Sequence, residues 1–171
     1  ANFGSPAAGS LPHFFGAMMG QAAGVDMVHV PFAGGGALQS AIAGGQVPIG
    51  IDVVLELMEF HRSGRVRILA TSGMQRSKAL PDVPTFRESG YPDLVGEGWF
   101  AMYAPAGTPA ATVSTLNAAL NKALVNPEVQ ERFAKLALEA GSGSPADLES
   151  RTAADVKRWA PVVKSTGFRG D

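Results

Sequence analysis

Cysteine is absent from the 171 residues, which removes disulfide frameworks, thiol nucleophiles and cysteine-ligated metals together. Charge is sparse. Charged residues make up 17% of the chain, and 14 Lys plus Arg against 15 Asp plus Glu leave a net charge of -1. There is no basic stripe to follow a phosphate backbone, so no nucleic-acid partner is expected. No apolar run approaches the ~20 residues that span a bilayer, and the first residues lack the basic-then-apolar layout of a signal peptide. The expectation is a soluble chain whose export signal has been removed. Histidine is scarce too. His13, His29 and His61 show neither an HExxH spacing nor a carboxylate at a useful offset, so no metal site is expected, and no cofactor.

What is present is apolar material in ordered patterns. Hydrophobic residues reach 46%, enough to bury a core, and the length suits one well-cored domain with appendages. The 21 glycines and 12 prolines fall at the boundaries of periodic segments, as turn and cap residues do. The first two-thirds alternates short β-branched runs with helical stretches, the pattern of βα units around a mostly parallel sheet. Strands are predicted over Asn2–Ser5, Met27–Pro31, Val47–Asp52, Val66–Ser72 and Gly98–Ala104. Helices are predicted over Ser10–Ala23, Gly36–Ala43 and Val53–Ser63. Beyond Thr108 the pattern becomes helical, with a capping residue before proline at Thr108-Pro109, Asn126-Pro127 and Ser144-Pro145. Lys78–Gly90 reads as a surface loop punctuated by Pro81, Pro84 and Gly90.

Open α/β sheets bind ligands at the carboxyl ends of their strands, which directs attention to two loops. Ser5-Pro6-Ala7-Ala8-Gly9-Ser10 follows a strand and opens a helix, so it can aim backbone N–H groups and two hydroxyls at an anion such as a carboxylate. The same residues would equally serve as a helix N-cap at Ser10 with a turn at Gly9. Pro31-Phe32-Ala33-Gly34-Gly35-Gly36 has the same placement, and its glycines allow close approach to the main chain. It lacks the Lys-Ser/Thr ending of a P-loop, and Gln39 stands where a dinucleotide fingerprint has its third glycine. Asp52 ends a strand on the same side, where it could fix an amino or hydroxyl group of a ligand or cap the helix that follows. A hydrolase triad of Ser5, His13 and Asp52 can be drawn, but no G-x-S-x-G elbow accompanies it.

These residues resemble a known family. Ser5-x-x-x-Gly9-Ser10-x-x-His13, Met27-Val28-His29-Val30-Pro31-Phe32-x-Gly34-Gly35 and Gly44-Gly45-Gln46-Val47 are similar to the tripartite tricarboxylate transporter receptors called the Bug family. So are Leu69-Ala70-x-Ser72-x-x-x-Arg76-Ser77-x-x-Leu80-Pro81-Asp82-Val83-Pro84-Thr85, Glu88-x-Gly90, Trp99-Phe100 and Ala104-Pro105-Ala106-Gly107-Thr108-Pro109. Asn126-Pro127-Glu128-Val129 and Trp159 extend the likeness almost to the end. The resemblance implies a periplasmic-binding-protein-like (type II) α/β receptor with two lobes, exported to the bacterial periplasm. Such a receptor closes on a small carboxylate, hands it to a membrane permease, and is no enzyme. It further implies that Ser5, Gly9, Ser10, Pro31, Phe32, Gly34, Gly35 and Asp52 are ligand-binding. Residues 1–98 would form the ligand-gripping lobe, and 99–171 a crossover strand with C-terminal helices of the other lobe. Thr71–Gly73 and Glu97–Phe100 would be the crossovers. Family members carry an N-terminal segment with no counterpart before Ala1, so the chain reads as a fragment of a two-lobed receptor.

Four positions depart from the family pattern. Ala7 stands where glycine is frequent, Phe32 where tyrosine is common, Ala33 where lysine is common and Pro48 where aspartate is common. The competing readings are a small α/β hydrolase using Ser5, which needs a base within hydrogen-bond reach, and a nucleotide module using Gly34–Gly36, which needs a Lys or metal ligand beside the loop. Finally, Val113, Leu116, Leu120, Phe133, Leu136, Val156 and Trp159 present more apolar surface than three short helices can hide. The chain is therefore expected to pair with a second copy, exchange its C-terminal elements, or retain a further piece.

Overall fold

The computed structural model describes residues 1–170. Its elements run β1 (Asn2–Ser5), α1 (Leu11–Ala23), β2 (Val28–Pro31), α2 (Gly35–Ala43), α3 (Val54–Arg62), α4 (Ala110–Leu124), α5 (Pro127–Lys135) and α6 (Pro145–Thr166). Two compact units emerge: Ala1–Gly98 with the stretch from Ala160 onward, and Trp99–Trp159.

In the first unit β1 and β2 pair in parallel, with Asn2 opposite Val28 and Ser5 opposite Pro31. On the other side of β1, Gly4 N–H donates to the Ile49 carbonyl at 2.9 Å and Ile51 N–H to the Gly4 carbonyl at 3.0 Å. This makes a parallel bridge at Gly50. The unit is α/β with a parallel sheet, but the sheet is smaller than five strands. Val47–Asp52 contributes only the Gly50 bridge: Ile49 and Ile51 are the residues that bond to β1, and the next position in register is Pro6, which has no N–H to donate. Val66–Ser72 contributes one bridge, Thr71 to Thr85, through Thr71 N–H to Pro84 and Phe86 N–H to Thr71. Gly98–Ala104 forms no ladder among the described residues. A β-branched run becomes a strand only where a neighbour offers its own peptide groups.

Helix α1 starts at Leu11 because Ser10, at φ -81° and ψ 161°, caps it with an Oγ that accepts the His13 N–H at 3.3 Å. Pro12 in the first turn has no N–H that needs an acceptor. The helix stops at Gly24, whose φ of 65° is the left-handed conformation of a C-cap. Packing dictates two further glycines. A side chain at Gly4 would run into Leu38 Cδ1 and the Phe32 ring, and one at Gly16 into the Phe3 ring. Leu38, Ala41 and Val47 are buried together, with Val30, Phe32 and Ile42 packed around them.

The Lys78–Gly90 segment is better ordered than a plain surface loop. Leu80, Val83 and Thr85 are buried. Arg76 Nε donates to both Glu88 carboxylate oxygens at 3.0 Å, and its Nη1 donates to the Pro81 carbonyl at 2.9 Å. Thr85 N–H donates to Glu88 Oε2 and Glu88 N–H to Thr85 Oγ1, a reciprocal capping box. The Arg76 guanidinium first, and the Thr85 N–H second, hold the Glu88 carboxyl below the usual carboxylate range.

In the second unit Asn126 caps α5, its Oδ1 accepting the Glu128 N–H at 2.8 Å. Ser144 and Asp147 close a reciprocal box at the start of α6. Thr108 does not cap a helix: its hydroxyl donates back to the Pro105 carbonyl at 2.8 Å, and α4 starts after Pro109, which has no side-chain cap. Trp99 Nε1 donates to Asp155 Oδ2 at 2.6 Å, and Asn117 and Asn121 both donate to the Gly143 carbonyl. No residue of α4, α5 or α6 is buried. Leu116, Leu136 and Val156 are exposed, as are Phe100, Met102 and Tyr103. Asn126→Ala should cost about 1 kcal/mol, the usual worth of an N-cap. A urea midpoint lowered with an unchanged slope would verify it, whereas an unchanged midpoint would show that the α5 cap contributes nothing.

Candidate functional site

Since Ser5 and Pro31 face each other in the register, the loops that follow β1 and β2 leave the same edge of the sheet. Two hydrogen bonds join them. Phe32 N–H donates to the Ser5 carbonyl at 2.9 Å and Gly34 N–H to the Pro6 carbonyl at 2.8 Å. Gly34 N-caps α2 at φ 93°, a conformation that disfavours any side chain although nothing crowds the position. Gly35 opens α2. The place a Cβ would take there lies 3.0 Å from Glu56 Oε2 and 3.1 Å from Asp52 Oδ2. The structure therefore brings Ser5, Gly9, Ser10, Pro31, Phe32, Gly34, Gly35 and Asp52 to one end of the sheet.

Their side chains do not all face outward. Ser5 is fully buried, and the Phe32 ring packs on Gly4 in the core. Ser10 Oγ donates to the Ala7 carbonyl at 2.7 Å while capping α1, so its single hydroxyl hydrogen is engaged within the loop. What remains for a ligand is main chain. The N–H groups of Ala7 and Ala8 donate to no described residue, and Gly35 and Gly36 sit in the first turn of α2, where a helix has no acceptor of its own to offer. N–H groups in such a place favour an anion.

Asp52 is not an N-cap. Helix α3 begins at Val54 behind Val53, and Asp52 Oδ1 accepts the Val53 N–H at 2.8 Å. Its other oxygen, Oδ2, is buried without a partner in the direction of Gly35. Burial raises the Asp52 pKa, the Val53 N–H opposes the shift, and the charge of Glu56 adds to it.

A base does lie beside Ser5, and it is His29 rather than His13. Ser5 Oγ is 2.7 Å from His29 Nε2 and 3.0 Å from the Ala7 carbonyl oxygen. A hydroxyl has one hydrogen and a carbonyl can only accept, so both contacts are met when Ser5 donates to Ala7 and His29 Nε2–H donates to Ser5. The proton then flows the wrong way for activating Ser5, and its Oγ is inaccessible. His13 stacks on His29 with ring centroids 3.8 Å apart, and its Nδ1 accepts the Gly9 N–H at 3.1 Å. The spacing of the histidines gave no sign of these contacts. No group of three metal-ligating side chains occurs among the described residues, and no Lys or Arg lies in α2 or its loop.

Residues 1–168 match the model of a family described as tripartite tricarboxylate transporter family receptor. BugT from Bordetella pertussis is 34% identical over 167 residues, covering 98% of this chain and 51% of the relative. An R. palustris protein solved with adipate superposes at a TM-score of 0.87 with 29% identity, over 97% of this chain and 56% of that one. MatC from Rhodopseudomonas palustris, solved with bound malate, does so at a TM-score of 0.82 with 30% identity, over 95% of this chain and 56% of that one. The chain spans about half the length of most of the curated relatives it matches.

Proposed function

The chain belongs to the tripartite tricarboxylate transporter receptor family, and from that premise we propose that its first unit grips a small carboxylate for uptake in the bacterial periplasm. The family and its structural neighbours are solute-binding receptors, not enzymes. Delivery to a membrane permease belongs to the same proposal. One observation carries it: two strand-to-helix loops, tied by Phe32 N–H to Ser5 and Gly34 N–H to Pro6, lie side by side with main-chain donors at Ala7, Ala8, Gly35 and Gly36 left for an anion. Malate and adipate, bound by two neighbours, are the first probes to use.

Calorimetric titration with malate and adipate tests the reading. Binding of malate is expected, with an affinity that Ser10→Ala weakens by roughly 0.5–2 kcal/mol, the usual worth of the N-cap that holds the loop in shape. A Kd untouched by Ser10→Ala would reduce Ser10 to a helix cap, and heats no larger than dilution for both acids would remove the carboxylate assignment.

A further inference from the structure

Two imidazoles that the binding reading does not use stand directly behind the Ser5–Ser10 loop. His29 Nε2 meets Ser5 Oγ at 2.7 Å, where the loop begins. His13 Nδ1 accepts the Gly9 N–H at 3.1 Å, where the loop ends. The rings stack at 3.8 Å with 19° between their planes. Phe3 lies 5.1 Å from His29, Phe14 lies 5.0 Å from His13, and the Phe168 ring meets His13 edge-on at 6.0 Å. Phe168 also covers the face of Gly9. The wall of the pair is aromatic.

We propose that His13 and His29 are positioning residues that hold the two ends of the Ser5–Ser10 loop as a stacked neutral pair, and that acid releases the loop by protonating them. This rests on the loop being part of the carboxylate cradle. The chemistry follows from the contacts. His13 Nδ1 can accept the Gly9 N–H only while it carries no proton. A protonated Nδ1 turns a donor toward a donor, and the Gly9 N–H must turn away. Two imidazolium rings stacked at this distance would also repel each other across a wall with few polar groups.

The surroundings favour the neutral forms. Burial lowers the His13 pKa, and burial followed by the charge of His13 lowers that of His29 to about 4. Few charges face the pair. β1, β2, α1 and the loop carry no charged residue besides the two histidines. The open cavity beside them, about 430 Å³, is lined by Asp26 as its one carboxylate, with Gln21, Ser165 and Thr166 as uncharged polar groups. The Ala1 nitrogen donates to the Asp26 carbonyl at 2.8 Å. For a histidine whose folded pKa lies below its unfolded one, the unfolded chain binds more protons through the interval between them. The stability that the neutral pair contributes is thus fully present above about pH 6.5 and is lost as pH falls toward 4.

Nitrogen-edited NMR of the full chain, titrated from pH 7.5 to 4.5 without ligand, tests the device apart from the binding reading. The Gly9 amide should titrate together with the His13 ring, at a midpoint below that of an ordinary histidine. Malate titrations form the second arm: affinity should be lost progressively as pH falls from about 6.5 toward 4, in step with the Gly9 amide. His13→Asn, whose Oδ1 stands in for Nδ1, should restore most of the affinity that His13→Leu loses, and it should flatten the pH profile. If the rings titrate near 6.5 while the Gly9 amide stays still, or if His13→Asn binds no better than His13→Leu, the positioning role is overturned. A linked Gly9–His13 titration in a chain that binds neither malate nor adipate would sustain the device and refute the carboxylate reading.

Discussion

Leu38→Ala should lower the stability of the first unit by about 2–5 kcal/mol, the cost of deleting a fully buried leucine that its surroundings cannot collapse around. Leu38 has no exposed surface and sits at the centre of the cluster formed with Ala41 and Val47. Its Cδ1 lies over Gly4, where a Cβ would collide with it, and at 3.5 Å from the Cβ position of Gly50. One methyl group therefore packs over both lines of backbone that meet at the Gly4–Gly50 bridge. Relaxation into the space it vacates would need either that bridge or the first turns of α2 to move. Because α2 carries the Gly34–Gly35 loop, the variant should also bind malate more weakly at temperatures where it is still folded. Chemical denaturation reads the first effect, and a loss under 1 kcal/mol would show that the region repacks freely.

Gly9→Ala should have the second large effect, for a conformational reason and a steric one. Gly9 has φ 74°, in the left-handed region where an L side chain costs roughly 1–2 kcal/mol. The added Cβ would also run into the Phe168 ring. Inserting a methyl against a packed ring costs typically about 1–3 kcal/mol. Adding Phe168→Ala should relieve the second part and leave the first, so the double-mutant cycle should give a coupling of about 0.5–3 kcal/mol. Additive effects would mean that Phe168 does not press on Gly9 in solution.

Local signals carried the parts of the fold that are local. Asn2–Ser5 is legible by its end, where Ser5-Pro6 opens a turn ahead of the helical pattern, and the caps at Ser10 and Asn126 are legible because a polar residue precedes a proline in the first helical turn. The convergence of the two loops also follows from sequence order, since consecutive parallel strands bring their exits together. What escaped was non-local. Gly98–Ala104 alternates like a strand but has no strand beside it, and nothing within those seven residues reveals that. Thr108 precedes Pro109 as a cap would, yet its hydroxyl turns back to Pro105. The contact of His29 with Ser5 joins residues 24 apart, a separation that no local spacing signals. Phe168 carries no motif at all, and only its position on Gly9 shows its part in shaping the loop.

The fate of the glycine-rich loops under ligand decides the account most directly. Backbone amide shifts of the chain, followed while malate is added at pH 7.5, should move first and furthest at Ala7, Ala8, Gly35 and Gly36, with a common saturation curve and little change along α4 and α5. Saturating shifts confined to α4 and α5, or none anywhere, would contradict the assignment of these two loops as the carboxylate cradle.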